Sequence, residues 1–147
     1  CGCGRRGCLE TYASATGLVR TVLALLSDLR EESILRDLKS NEITSRRVAE
    51  AAAAGDIIAI QALDQTARMI ALGIANAVIF SSPETIFLFG GLAKAGDALF
   101  EPVRKYADEL VQPVFRGTFT VVPSGLPEAR AAILGASALI WKDAGRS

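Results

Sequence analysis

The sequence predicts a helix-rich α/β fold with an incomplete sheet. In several long segments apolar residues recur every three or four positions, which is the period of a helix with one buried face. Two short apolar segments, 85–89 and 118–122, have the composition and length of strands, and each precedes a helical segment. The order strand, helix, strand, helix is typical of a parallel layer. Two strands form a poor sheet, so part of the sheet is expected to lie outside this chain.

The first half is predicted to be helical. The first helix carries one apolar stripe, and Thr44 or Ser45 can cap a second helix that Gly55 ends. Asp56 can cap the third and longest helix, which Pro83 stops. The stripe of the first helix comprises Leu18, Val22, Leu25, Leu26 and Leu29. The predicted apolar face of the third comprises Ile57, Ile60, Leu63, Ala67, Ile70, Ile74 and Val78.

The second half is predicted to hold both strands. Segment 85–89 is bounded by proline and glycine, as expected for a strand covered on both faces, and Gly90 and Gly91 follow it. A helix with one apolar face then leads to segment 118–122, and a last helix begins near Pro127 and Glu128. The apolar face of the first of these helices comprises Leu99, Val103, Tyr106 and Leu110. That of the last comprises Ile133, Ala136 and Ile140, followed by Trp141.

Composition indicates one ordinary domain over residues 1–147. Half the residues are hydrophobic, and 16 basic residues balance 16 acidic ones, which argues against a disordered chain or a nucleic-acid-binding surface and favours self-association. Charged or polar residues interrupt the apolar stretches, so we expect no membrane span and a soluble, cytoplasmic protein. The first residue is Cys1 rather than Met, so the chain is expected to begin inside a longer gene product.

Three cysteines lie close together at the start of the chain. Cys1, Cys3 and Cys8 have the spacing C-x-C-x4-C with glycines between them, which favours a tetrahedral zinc site at one turn. A closed site needs a fourth ligand, yet the sequence has no histidine and no fourth cysteine. The fourth ligand could lie upstream, or the residues could be ordinary reduced thiols. A Cys1–Cys8 disulfide is the third alternative, which a reducing cytoplasm disfavours.

Residues 1–14 resemble the signature of the ROK family, C-x-C-G-x-x-G-C-x-E, at every fixed position. The resemblance continues through segments 86–97, 123–127 and 131–136. That family contains bacterial glucokinases, other hexose and N-acetylhexosamine kinases, and sugar-responsive repressors. The resemblance implies an actin-like, hexokinase-like (ribonuclease H-like) pair of α/β domains with substrate between them, of which this chain resembles the C-terminal part.

The resemblance also implies site residues. Cys1, Cys3 and Cys8 match the family's zinc cysteines, so residues 1–10 would form a zinc knuckle whose fourth ligand, a histidine, lies upstream. Glu10 matches the glutamate that binds sugar hydroxyls; without the resemblance, an acid that complements a helix dipole is the simpler interpretation. Gly90 and Gly91 match the adenosine-binding segment. A further glycine in the last helix, Gly135, is expected to serve close helix packing.

The family's catalytic aspartate and its phosphate loop, D-x-G-x-T, precede the cysteines and do not occur in this sequence. We therefore expect no catalytic residue here, and Asp56, Asp64 and Asp97 receive no catalytic role. The implied function is that of a C-terminal fragment, inactive alone, of an ATP- and Mg²⁺-dependent hexose kinase that phosphorylates the 6-hydroxyl of glucose. A repressor fragment and a structural dimerisation module are the alternatives. The resemblance also implies that the protein forms a homo-oligomer, namely a dimer.

Overall fold

A computed structural model describes residues 1–126 and 128–144 of the chain. These residues form five α-helices and two strands. In chain order they are α1 (Ala15–Asp28), α2 (Ser45–Ala53), α3 (Ile57–Ser81), β1 (Thr85–Leu88), α4 (Asp97–Leu110), β2 (Thr120–Pro123) and α5 (Glu128–Ala144). The predicted helix start at Pro127 lies outside the described residues. The helix-rich α/β class predicted from the sequence is confirmed.

The two strands form a small parallel sheet, in which Ile86 lies opposite Val121 and Leu88 opposite Pro123. Helix α4 provides the crossover and packs on β2, where the Arg104 side chain donates to the Val121 carbonyl at 2.9 Å. Ile86 and Leu88 pack against the core, whereas Phe87 on the opposite face is 64% exposed. The expectation that β1 is covered on both faces is therefore wrong within the described residues, because its helices cover only one face.

The core lies around α3, which packs against α4, α1 and α2. The stripe predicted on α1 is confirmed, since Leu18 and Val22 are fully buried. The predicted face of α3 is wrong in its first turn, where Ile57 and Ile60 are about half exposed. Ile58 is buried there instead. The short side chains of Ala59, Ala62 and Thr66 lie beside it and let α3 approach its neighbours closely. The buried residues of this half of α3 are Ile58, Ala59, Ala62, Leu63, Thr66 and Ala67.

The exposed ends of two helices also differ from prediction. Leu110, in the last turn of α4, is nearly half exposed, while Leu99, Val103 and Tyr106 are buried as predicted. On α5, Ile133 and Ile140 are more than half exposed, and so is Trp141. Ala136 is exposed as well. A Cβ added at Gly135 would meet nothing within 4 Å, so the predicted close packing at this glycine is also wrong among the described residues. Periodicity marks an apolar face on a helix but does not specify what covers it.

The predicted helix caps are confirmed at both positions. Thr44 caps α2 by accepting from the Arg47 amide at 3.2 Å, and Asp56 caps α3 by accepting from the Ala59 amide at 3.0 Å. Asp56 also accepts from the Ser33 hydroxyl at 2.7 Å and the Ile34 amide at 2.9 Å. The single carboxylate thus joins the start of α3 to the segment before α2.

Helix α3 is long and apolar enough, by length and composition alone, to cross a membrane. Half of that apolar window is buried inside the protein, and the core helix of a soluble protein meets the same criterion.

A polar network joins α3 to α4. The Tyr106 hydroxyl donates to the Asp64 carboxylate, the Arg68 side chain donates to Asp64 at 3.0 Å and to the Tyr106 oxygen at 2.9 Å, and its guanidinium lies 4.2 Å from the Tyr106 ring centroid. Partial burial raises the pKa of Asp64, but the hydrogen bonds from Tyr106 and Arg68 outweigh it, so the pKa lies below its ordinary value of 3.8. The ionised carboxylate is therefore the form that the fold stabilises.

Protonation of Asp64 is expected to make the protein less stable in acid. A carboxyl group whose pKa is lower in the folded state contributes stability above its unfolded pKa and loses it as the pH falls through the folded value. The loss should be below about 1 kcal/mol, because solvent screens this partly exposed pair. Urea unfolding at pH 7 and pH 3 measures it, with Asp64→Asn as the control in which the pH dependence becomes shallower. Identical pH dependence in the two proteins would contradict the assignment.

Candidate functional site

The three cysteine sulfurs lie together at the tip of one turn. Cys1 Sγ is 2.8 Å from Cys3 Sγ, Cys3 Sγ is 3.5 Å from Cys8 Sγ, and all three lie within 4.8 Å of one another. The backbone reaches this shape through Gly4 and Gly7, whose φ angles of 78° and 72° favour glycine. None of these three cysteines forms a disulfide.

The cysteine cluster fits three ligands of a zinc ion. Zn–S bonds of about 2.3 Å in a tetrahedral site separate two sulfurs by about 3.8 Å. The Cys3–Cys8 distance of 3.5 Å is close to this value, whereas Cys1 and Cys3, at 2.8 Å, would have to move about 1 Å apart to bind the ion. Thiolate sulfur is also a ligand type that structural zinc sites use. The chain offers no histidine and no further cysteine as a fourth ligand. The arrangement can therefore supply three of the four positions.

Glu10 lies directly beyond the cysteine cluster, in the short 3₁₀ turn Leu9–Thr11. The Thr11 amide donates to the Cys8 carbonyl at 3.0 Å, which ties this turn to the cluster. Glu10 is exposed, and its carboxylate has no hydrogen-bond or ion-pair partner within residues 1–126 and 128–144. Helix α1 begins five residues later and is capped by Ser14, so Glu10 does not lie in its first turn. The geometry therefore leaves the carboxylate available to a ligand.

Gly90 and Gly91 follow β1 at its carboxyl end. Gly90 has φ 99° and ψ −172°, a conformation that other residues rarely adopt, and a Cβ added there would meet nothing within 4 Å. Gly91 begins the short 3₁₀ turn Gly91–Ala95, which leads to α4. The glycine pair thus presents bare backbone at the end of a parallel strand, the position where α/β proteins commonly bind ligands.

A cleft of about 450 Å³ brings these segments together. Leu9, next to Glu10, lines it from one side, and Gly90 and Gly91 line it from another. Its base is the middle of α3, including Gly73. Glu10 itself does not line the cleft, although the turn that carries it does. The structure therefore joins two of the three predicted site segments around one cavity.

A second cavity of about 580 Å³ lies beyond Gly91. It shares Ala15 and Gly91 with the first cleft and is also lined by Asn41, Arg46 and Lys94. Sequence analysis did not find these polar residues. Two sequence signals lay nearby, namely Gly91 and the predicted cap at Thr44, since helix starts often bind anions.

Comparison with known proteins finds relatives in one family. Residues 1–143 match the ROK family. The chain is 34% identical to a glucokinase of Thermotoga maritima over 141 residues, which covers 95% of this chain and 44% of that protein. It is 30% identical over 140 residues to the DNA-binding transcriptional dual regulator NagC of Escherichia coli, covering 95% of this chain and 33% of the regulator. The relatives therefore include both enzymes and regulators.

Among solved structures, the chain resembles a ROK family glucokinase from Streptomyces griseus in complex with glucose and AMPPNP. The TM-score is 0.80 and the sequence identity 29%, with 95% of this chain and 46% of that one covered. The chain thus spans between a third and a half of the length of these relatives. It has part of the fold of the actin-like ATPase class to which ROK hexokinases and glucokinases belong. The signature at residues 1–10, the matched residues and this fold agree, and the chain belongs to the ROK family.

Proposed function

We propose that this chain is the C-terminal portion of an ATP-dependent hexose kinase that transfers a phosphoryl group to the 6-hydroxyl of glucose. The observation that carries the proposal is the cleft that the Glu10 turn and the Gly90–Gly91 pair share. A kinase needs sugar and nucleotide side by side, and these two segments are the ones assigned to them. The names of the T. maritima and S. griseus relatives support the same activity.

Glu10 is proposed to bind the sugar. A carboxylate has two oxygens that accept hydrogen bonds, so it can take the O–H groups of two adjacent hydroxyls. The exposed and unpartnered state of Glu10 among the described residues supports this role, since no internal contact must be broken first. Cys1, Cys3 and Cys8 are proposed to hold a structural zinc ion that stiffens the segment leading to Glu10.

Gly90 and Gly91 are proposed to bind the adenosine part of ATP. A Cβ added at Gly90 would meet nothing within 4 Å, and Gly91 lines both cavities, so a flat base or a ribose could approach the backbone here. The second cavity beyond Gly91 offers room for one. Mg²⁺ would accompany the ATP phosphates. This chain contributes binding but no catalytic base, and D-x-G-x-T is absent from it. We therefore infer that the polypeptide alone does not phosphorylate glucose. We also infer that the complete protein is a cytoplasmic homo-oligomer.

A sugar-responsive repressor is the second candidate, because NagC matches over 95% of this chain. The two candidates differ in the segment that precedes the cysteines. A D-x-G-x-T motif near the start of the gene favours the kinase, and a helix-turn-helix there favours the repressor.

Glu10→Gln in the full-length gene product is expected to lower kcat/KM for glucose about ten- to hundredfold. The amide accepts fewer hydrogen bonds and carries no charge, and hydrogen bonds to charged groups contribute about 1.5–3 kcal/mol. Steady-state kinetics with ATP and glucose measures the change. Glu101→Gln, at an exposed position on α4, is the matched control and should leave kcat/KM unchanged. Equal kinetics of Glu10→Gln and wild type would refute the sugar-binding role.

The cysteine cluster is expected to hold one zinc ion per chain in the full-length protein. Cys3→Ala removes one of three clustered thiolates, so the zinc content should fall to a small fraction. Elemental analysis after dialysis measures it, and Arg6→Ala, an exposed change in the same loop, is the control that should retain the metal. A zinc-free wild-type protein would contradict the metal assignment.

A further inference from the structure

The turn that carries Glu10 is held between two helical glycines. Gly17 in the first turn of α1 touches the segment from one direction, and Gly73 in the middle of α3 touches it from another. Neither glycine has a positive φ angle, so backbone conformation does not require glycine at these positions. Glycine is also less favourable than alanine within a helix. The reason for both glycines is therefore the space around them.

At Gly17 the contact is with backbone. An added Cβ would lie 2.7 Å from the Thr11 carbonyl oxygen and 2.8 Å from that of Tyr12. Backbone atoms cannot rotate away as a side chain can. The start of α1 is also fixed, because the Gly17 amide donates to the Ser14 hydroxyl at 3.0 Å. A larger residue at 17 must therefore displace the chain just after Glu10.

At Gly73 the contact is with a side chain. An added Cβ would lie 2.6 Å from Leu9 Cδ2, closer than two carbons can approach. Leu9 precedes Glu10 in the same turn, and both Leu9 and Gly73 line the 450 Å³ cleft. Leu9 thus fills the space that position 73 leaves open, and a methyl group there would force the Leu9 side chain, which is 44% exposed, to turn or move away from α3.

We propose that Gly17 and Gly73 are positioning residues for Glu10. They let α1 and α3 approach the turn closely enough to fix where its carboxylate stands relative to the cleft. The proposal rests on the proposed role of Glu10 in sugar binding. It adds two residues, remote in sequence and without polar side chains, to those that determine sugar affinity.

Gly73→Ala in the full-length protein is expected to raise the KM for glucose several-fold without lowering the melting temperature. The new methyl displaces Leu9 from α3, while alanine favours the helix itself. In a Leu9→Ala background the methyl meets no Cδ2, so adding Gly73→Ala there should change KM no further. Gly135→Ala, where a Cβ has open space, is the control helix substitution and should leave KM unchanged. A loss caused only by destabilisation would instead lower the melting temperature and persist in the Leu9→Ala background.

Gly17→Ala is expected to act on the backbone directly. The amides of Thr11, Tyr12 and Ala13 donate to the carbonyls of Cys8 and Leu9 at 2.8–3.0 Å. Displacing their segment should make these amides exchange hydrogen several-fold faster, which mass spectrometry of the peptide reports without any activity assay. If Gly17→Ala does not fold, the Gly73 and Leu9 cycle still decides the question.

The outcomes separate this proposal from the function on which it rests. If Glu10→Gln raises KM but Gly73→Ala changes neither KM nor exchange in residues 9–13, the positioning role is overturned and the sugar-binding role stands. If Glu10→Gln leaves KM unchanged, the sugar-binding role fails and the positioning role fails with it. A raised KM in both variants, with rescue in the Leu9→Ala background, supports the proposal.

Discussion

Leu18→Ala is expected to lower the free energy of unfolding by about 3–4 kcal/mol. Leu18 is 0% exposed and lies in the core where α1 meets α3. Truncation removes buried methyl groups and leaves a cavity that rigid helices fill only in part, and the two effects add. Urea denaturation followed by circular dichroism measures the change as a shift in the midpoint at constant slope.

Leu23→Ala is the matched control for Leu18→Ala. It is the same substitution in the same helix, but Leu23 is 42% exposed. The loss should therefore be below about 1 kcal/mol, as for surface sites. Similar losses for the two variants would mean that α1 does not pack as described.

Asp56→Ala is expected to lower the free energy of unfolding by about 3 kcal/mol, since it removes a helix cap and two further hydrogen bonds to a charged acceptor. The cap bond to the Ala59 amide starts the central helix, and the bonds from Ser33 and Ile34 hold the preceding segment. Denaturant unfolding measures the loss. Differential hydrogen exchange should place the largest change at residues 33–37 and in the first turn of α3.

Two controls isolate the three bonds of Asp56. Asp56→Asn keeps one acceptor oxygen and should lose about half as much stability. Asp97→Ala changes an exposed aspartate in the first turn of α4, which makes no cap bond, and should stay within about 0.5 kcal/mol of wild type. An Asp56→Ala loss no greater than that of Asp97→Ala would show that these bonds contribute nothing.

Local features were predictable from the sequence. The caps at Thr44 and Asp56 depend on residues within one turn, and both are confirmed. Proline and glycine bound the strand segment near β1, and its parallel pairing followed from the strand, helix, strand order. The cysteine cluster needed only an eight-residue pattern. The position of the cluster beside Glu10 was predictable because the three cysteines and Glu10 all lie within ten residues.

Contacts between distant residues were not predictable. Leu9 meets Gly73 and Ser33 meets Asp56 because helices pack in three dimensions, which no local pattern encodes. For the same reason the cavity that joins Leu9 to Gly90 was not foreseen. The first turn of α3 was misassigned because adjacent apolar residues, Ile57 and Ile58, offer two faces, and only packing decides between them.

The two cavities share a partition at Ala15 and Gly91. A bulkier side chain at either position would intrude on both volumes at once. An engineer who wished to reshape one compartment alone would have to work at residues that border only that one, such as Ile74 for the smaller or Asn41 for the larger. Because Ala15 and Gly91 line both cavities, a substitution at either position that suits the ligand of one cavity must also leave enough room for the ligand of the other.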